Sequence, residues 1–124
     1  MIINLRPLDL QTDAPRYAEL LSTVYPEPVT VDKVYEWESH FPKDGVRHRQ
    51  VALNERGQIV GYNHCARMPH MLPQSYGVEV AVFPEFQRRG VGARLYDDAQ
   101  TFARSQGATR LEAKVRDHQP AGLG

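Results

Sequence analysis

Val78-Glu79-Val80-Ala81-Val82-Phe83-Pro84-Glu85-Phe86-Gln87-Arg88-Arg89-Gly90-Val91-Gly92-Ala93 is the stretch that decides the fold of this chain. Its first five residues, three of them valine, have the composition of a strand. Pro84 ends that strand, because it has no N–H to give to a ladder. From Gly90 the apolar residues Val91, Leu95, Ala99, Phe102 and Ala103 follow at three-and-four spacing, which predicts a helix that Gly107 closes. The stretch is a strand, a loop and a helix start. Gly90 and Gly92 stand at that start, where two glycines one residue apart let successive backbone N–H groups converge with the positive end of the helix dipole behind them. A phosphate or pyrophosphate suits such a cradle, and Arg88 and Arg89 add forked guanidinium donors at its rim.

Downstream, Leu111, Ala113 and Val115 alternate with charged residues as in a half-buried strand, and the intervening helix requires it to run parallel to the strand ending at Val82. Upstream, residues 50–53, the turn Asn54-Glu55-Arg56-Gly57 and residues 59–68 predict an antiparallel hairpin. Pro69 and Pro73 interrupt the path to the strand at residues 76–82, which completes a three-stranded meander. Residues 2–8 predict a short first strand limited by Pro7, with Ile3 and Leu5 on one face. Asp13 is expected to cap a helix carrying Tyr17, Leu20, Leu21 and Val24, with Pro15 in its first turn. After the break at Pro26 and Pro28, Thr30 caps a second helix carrying Val31, Val34, Trp37 and Phe41. The fold class is α/β with a mixed sheet: strand, two helices, three antiparallel strands, helix, parallel strand, in one domain spanning residues 1–124.

The 124 residues carry 15 basic and 15 acidic side chains, so no global field gathers nucleic acid or an acidic membrane, and neither is expected as a partner. Any anion site must be local. The single cysteine, Cys65, excludes an internal disulfide, and no apolar run of signal or membrane length opens the chain, so a cytoplasmic protein is expected. His64, Cys65 and His70 include two metal-ligand types. Neighbouring His64 and Cys65 leave a strand on opposite faces and no second ligand pair has metal spacing, so no metal is expected, only a buried thiol and a surface histidine.

A glycine pair has several uses. A dinucleotide fingerprint needs a third glycine where Leu95 stands and a shorter gap after the strand, and a P-loop needs Gly-Lys-Ser/Thr. Taken together, Val80-Ala81-Val82-Phe83-Pro84, then Gln87-Arg88-Arg89-Gly90-Val91-Gly92-Ala93, then Leu95 resemble the central motif of the GNAT-type N-acetyltransferase superfamily. The order of elements resembles the first two-thirds of that fold as well.

The resemblance implies acetyl-CoA as donor and a primary amine as acceptor. It places the donor's pyrophosphate on the backbone amides of Gln87, Arg88, Arg89, Gly90, Val91, Gly92 and Ala93, and its pantetheine arm along Val80, Ala81 and Val82. The family's fourth and fifth strands splay there, which exposes backbone groups to that arm. One N–H near Val82 would hold the developing oxyanion. The amine must be neutral to attack, and Glu79 is the candidate base. Tyr25 and Trp37 lie where the family contacts acceptors. Family members continue with a further helix and two strands, and a tyrosine on that helix commonly protonates the leaving thiolate; this sequence ends at the point, near Asp117, where that helix would begin. The resemblance therefore also admits a non-catalytic acyl-CoA-binding or interaction module with the same fold, and the edge left by the fifth strand favours a homodimer.

Overall fold

The computed structural model describes residues 2–116, so the expectations attached to Asp117 and beyond lie outside the described residues. The elements are β1 (Asn4–Pro7), α1 (Leu10–Ser22), α2 (Val31–Ser39), β2 (Val46–Leu53), β3 (Ile59–Arg67), β4 (Ser75–Val82), α3 (Val91–Ser105) and β5 (Arg110–Arg116). The strands form one sheet in sequence order. The first four pair antiparallel and β5 pairs parallel to β4, so the mixed α/β sheet has the predicted order of elements.

Period-two alternation sorts the side chains onto two faces. Tyr17, Leu20 and Leu21 of α1 and Val34 of α2 pack with Val51, Tyr62 and Ala81 on one face. Val91, Leu95, Ala99 and Ala103 of α3 pack with Val78, Val80, Val82 and Cys65 on the other. Buried Asn63 fixes α3 to its face. Its Oδ1 accepts from Gln50 N (2.9 Å), and its Nδ2 donates to Leu95 O (2.8 Å) and Asp98 Oδ2 (2.9 Å), so no polar atom of that side chain is left without a partner. His48 Nε2 meets the same Asp98 oxygen at 2.9 Å, and its ring stacks on Phe102.

The starts of α1 and β2 differ from the sequence reading. The cap of α1 is Asp9, whose carboxylate accepts from Gln11 N at 3.1 Å, and not Asp13. Asp13 instead reaches back from the first turn: it accepts from Asp9 N (2.8 Å) and from both terminal nitrogens of Arg6 (2.7 and 2.8 Å). Pro15 consequently sits one turn into the helix, inside it. β2 begins at Val46, before the apolar residues that announce it, because the charged side chains of Arg47 and Arg49 find a carboxylate on α2.

Asp13 joins β1 to α1, and its role is testable. The Arg6 bond, opposed in part by burial, holds its carboxyl below the ordinary value of 3.8. A carboxylate with a depressed folded-state pKa stabilises the fold above the unfolded value, and that contribution is lost as pH falls through the folded one. Arg6 is 40% exposed, so solvent around it screens part of the effect, and Asp13→Asn should cost about 2 kcal/mol at neutral pH. It should also flatten the acid limb below pH 3.8 in urea-denaturation midpoints. A variant matching the parent at pH 7 would show that the cluster contributes nothing.

Candidate active site

Strand register builds the first part of the site. Arg49 pairs with His64 across β2 and β3, and His64 pairs with Glu79 across β3 and β4, so the three stand in one row on the face covered by α1 and α2. Above this row lies a cavity of about 260 Å³, walled by Tyr17, Tyr25, Trp37, Glu38, Tyr62 and Met68 among others, with Arg49, His64 and Glu79 at its floor. A second hollow of about 330 Å³ continues it toward β5 and shares Tyr25, His64 and Glu79.

The carboxylate of Glu79 accepts hydrogen bonds from two tyrosines: Tyr62 Oη donates to Oε1, and Tyr25 Oη donates to Oε2 at 3.4 Å. The Tyr17 ring meets Tyr62 edge-on at 5.1 Å. Burial above all pushes Tyr17 up to about 12 and Tyr62 well above its ordinary value, so both hydroxyls stay protonated donors across the neutral range. Trp37 leans on Tyr25 at 5.8 Å between centroids. On the α2 side Glu38 binds Arg49 through both carboxylate oxygens (3.0 and 3.2 Å) and Arg47 through Oε2 (2.8 Å). Between the two charged ends, burial and then the Arg49 charge lower His64 to about 4, so its ring is neutral at physiological pH. His64 Nε2 is buried, with no hydrogen-bond partner among the described residues.

The second part of the site lies at the C-terminal end of β4. Phe83 N donates to Val60 O at 2.9 Å, an antiparallel hydrogen-bonded pair. Alternation makes the preceding pair, Val82 and Gly61, non-hydrogen-bonded, so the Val82 N–H points away from β3. A 3-10 turn, Pro84–Phe86, follows, and Gln87 Nε2 donates back to Val82 O (3.1 Å), tying the loop to the strand. Gln87 N is already engaged by Pro84 O (3.3 Å), so Gln87 serves the loop's shape and offers no amide to a ligand. Arg88 has φ +64° and Gly90 has φ +84° as N-cap of α3. A non-glycine residue held in the left-handed region marks a loop whose shape is fixed by more than its own preference.

Arg94 is the first residue whose N–H closes onto the helix, at Gly90 O (3.1 Å). The N–H groups of Val91, Gly92 and Ala93 precede it and have no intrahelical acceptor, no side chain caps them, and the first turn holds no acid. A Cβ built on Gly92 would stand 3.7 Å from Val82 Cγ2 and meet nothing nearer. Amides without acceptors, a helix dipole and no carboxylate fit a bound pyrophosphate. Arg89 lines a neighbouring hollow of about 440 Å³ with Phe86 and the β2–β3 turn.

Glu79, Tyr25 and Trp37, separate in sequence, thus share one cavity, while residues 87–93 form a distinct loop and Val80, Ala81 and Val82 connect the two. The splay expected between the fourth and fifth strands is not present among the described residues. β4 and β5 pair without a bulge from Ser75 with Arg110 to Ala81 with Arg116. Parting two strands requires an irregularity in one of them, and the sheet's register shift lies elsewhere, between Ala52 and Leu53. The last of these pairs, Ala81 with Arg116, directs the Val82 N–H toward β5. His64 is a second correction: it is not at the surface but in the cavity floor, whereas Cys65 is buried on the opposite face as expected. Tyr62, Tyr17, Glu38 and Arg49 were not identified from sequence. Tyr62 and His64 share parity in one strand, which is the signal that puts them on one face; that Glu79 faces them depends on cross-strand register.

Residues 14–123 match the model of the Acetyltransferase (GNAT) family, and the chain belongs to that family, whose donor substrate is acetyl-CoA. Solved structures share its fold. One is an aminoglycoside N-acetyltransferase in complex with CoA, at 17% identity and TM-score 0.71, covering 96% of this chain and 78% of that one. Another is a Salmonella typhimurium protein with its cofactor acetyl-CoA, at 18% identity and TM-score 0.72, covering 91% and 69%. A third is a glucosamine N-acetyltransferase region of a fungal multi-domain beta-N-acetylglucosaminidase, at 20% identity and TM-score 0.73, covering 96% of this chain and 14% of that one. At these identities the likeness is one of fold. No curated protein matches the chain. Among the described residues no helix is long and apolar enough to cross a membrane.

Proposed function

We propose that this chain, read as one domain, is an N-acetyltransferase that moves acetyl from acetyl-CoA to a primary amine. The observation that carries the reading is the meeting of Glu79, Tyr25 and Trp37 in one cavity, three residues along β4 from the strand end that leads into the anion cradle. The amides of Val91, Gly92 and Ala93 hold the donor's pyrophosphate, with Arg88 and Arg89 beside them, and the donor's arm extends from that cradle past the end of β4, because Val80 and Ala81 are paired on both sides. The donor supplies an activated acyl group on sulfur.

Glu79 accepts the proton that the amine loses on attack, directly or through one water, while Tyr62 and Tyr25 fix its carboxylate. The new N–C bond forms, the C–S bond breaks, and the thiolate takes a proton from solvent. Trp37 and Tyr25 wall the acceptor's body. Holding the two substrates together supplies a large part of the rate.

Titration of acetyl-CoA by calorimetry, then assay of thiol release with a panel of amines, tests this reading. Binding followed by amine-dependent release supports it. Binding with no release for any amine favours an acyl-CoA-binding module, and absence of binding refutes both.

A further inference from the structure

We propose that the acceptor is a small zwitterion, with one primary amine and one carboxylate as in a free amino acid, its carboxylate held by Arg47 and Arg49 and its amine directed to Glu79. The inference rests on the acetyltransferase reading above and narrows its substrate.

The charge count at the α2 end of the cavity points to an anion. Two guanidinium groups share one carboxylate: Arg49 engages both oxygens of Glu38 and Arg47 only Oε2. The trio carries one surplus positive charge, and its side chains are only 22%, 16% and 30% exposed for Arg47, Arg49 and Glu38, so water neutralises it poorly. Arg47 lies over the Phe41 ring at 4.0 Å, which holds its guanidinium plane in place. Burial first, and then the neighbouring Arg49 charge, lower its pKa below the ordinary arginine value. A second carboxylate balances the surplus charge, and Arg47, which gives Glu38 only one nitrogen, keeps donors to receive it.

The opposite end carries Glu79 and its tyrosines, and the neutral His64 stands between. Two strand spacings separate Arg49 from Glu79, about 10 Å between their Cα atoms, which long side chains reaching inward shorten to the span of a small molecule. The volume of about 260 Å³ is below the roughly 300–1,000 Å³ of sites for drug-sized ligands, and Tyr25 and Trp37 offer an aromatic wall to a side chain. A diamine or polycation would set its second charge against the surplus cation.

The test compares thiol release by the intact chain at saturating acetyl-CoA, using free amino acids, their methyl esters and carboxamides, and a diamine. A free acid should exceed its own ester and amide at least tenfold in kcat/KM, with the difference in KM. The ester and amide amines are less basic, hence more often neutral, so intrinsic reactivity biases the comparison against this outcome. Arg49→Gln, and separately Arg47→Gln, should lower the acid-to-ester ratio toward one, with acetyl-CoA titration confirming that each variant is folded. Release that is equal or faster with esters or the diamine overturns the zwitterion but leaves the acetyltransferase; no release with any amine overturns the acetyltransferase and this inference with it.

Discussion

Glu79→Gln should lower kcat by about 10²–10³-fold and leave the affinity for acetyl-CoA unchanged. The substitution keeps the shape of a side chain that accepts hydrogen bonds from Tyr62 and Tyr25 and whose neighbours across the sheet are His64 and Lys114. An amide can still bond to two hydroxyls, since each hydroxyl rotates to donate or accept, so the cavity need not rearrange. What the amide cannot do is take a proton from the amine. The effect therefore falls on the step in which nitrogen attacks, and steady-state kinetics with acetyl-CoA titrated separately distinguish it from a binding defect. If kcat is unaffected, the proton leaves by a chain of waters and Glu79 is a structural carboxylate.

Gly92→Val should raise the dissociation constant for CoA at least 100-fold, about 2.7 kcal/mol, without loss of fold. A Cβ itself has room, because the nearest atom to it is a methyl group of Val82 at ordinary contact distance, and the two methyl groups beyond it point where the chain leaves Val82 behind or where Val82 can turn aside. Helix propensity does not oppose the change, since valine is a better helix former than glycine. The added methyl groups occupy the space in front of the amides of Val91, Gly92 and Ala93, which an anion must enter. Calorimetry with CoA and a thermal melt give both halves of the prediction; a melt like the parent's together with parental affinity would remove the loop from the donor site.

Local chemistry in the sequence revealed most of the scaffold. Pro84 and the glycines at 90 and 107 punctuate the strand, loop and helix, Thr30 caps α2 as its side chain predicts, and the hairpin turn follows from Asn54 to Gly57. Errors came where a polar residue has two uses. Asp9 and Asp13 both have a cap's chemistry, and only the arginine on β1 decides which one pairs and which one caps. Arg47 and Arg49 read as loop because their carboxylate lies on another element. The candidate site divides in the same way. The cradle is contiguous, so it could be read directly. The cavity is assembled from α1, α2 and three strands, and the row of Arg49, His64 and Glu79 exists only once the register is set.

The parity of β4 has a consequence for how this chain can change over time. Glu79 faces the cavity proposed for the acceptor while its neighbours Val78 and Val80 pack against α3, so the cavity and the α3 core are separated by a phase of one residue. A strand of this kind behaves like a reading frame. Insertion or deletion of one residue between Ser75 and Val82 exchanges the faces, sending a carboxylate into the α3 core and a valine into the cavity. The exposed connection at residues 68–74 precedes the frame and can change length without shifting it. Variation in acceptor choice is thus free to accumulate in loops and cavity walls, while the eight residues of β4 admit substitution but not a change in number.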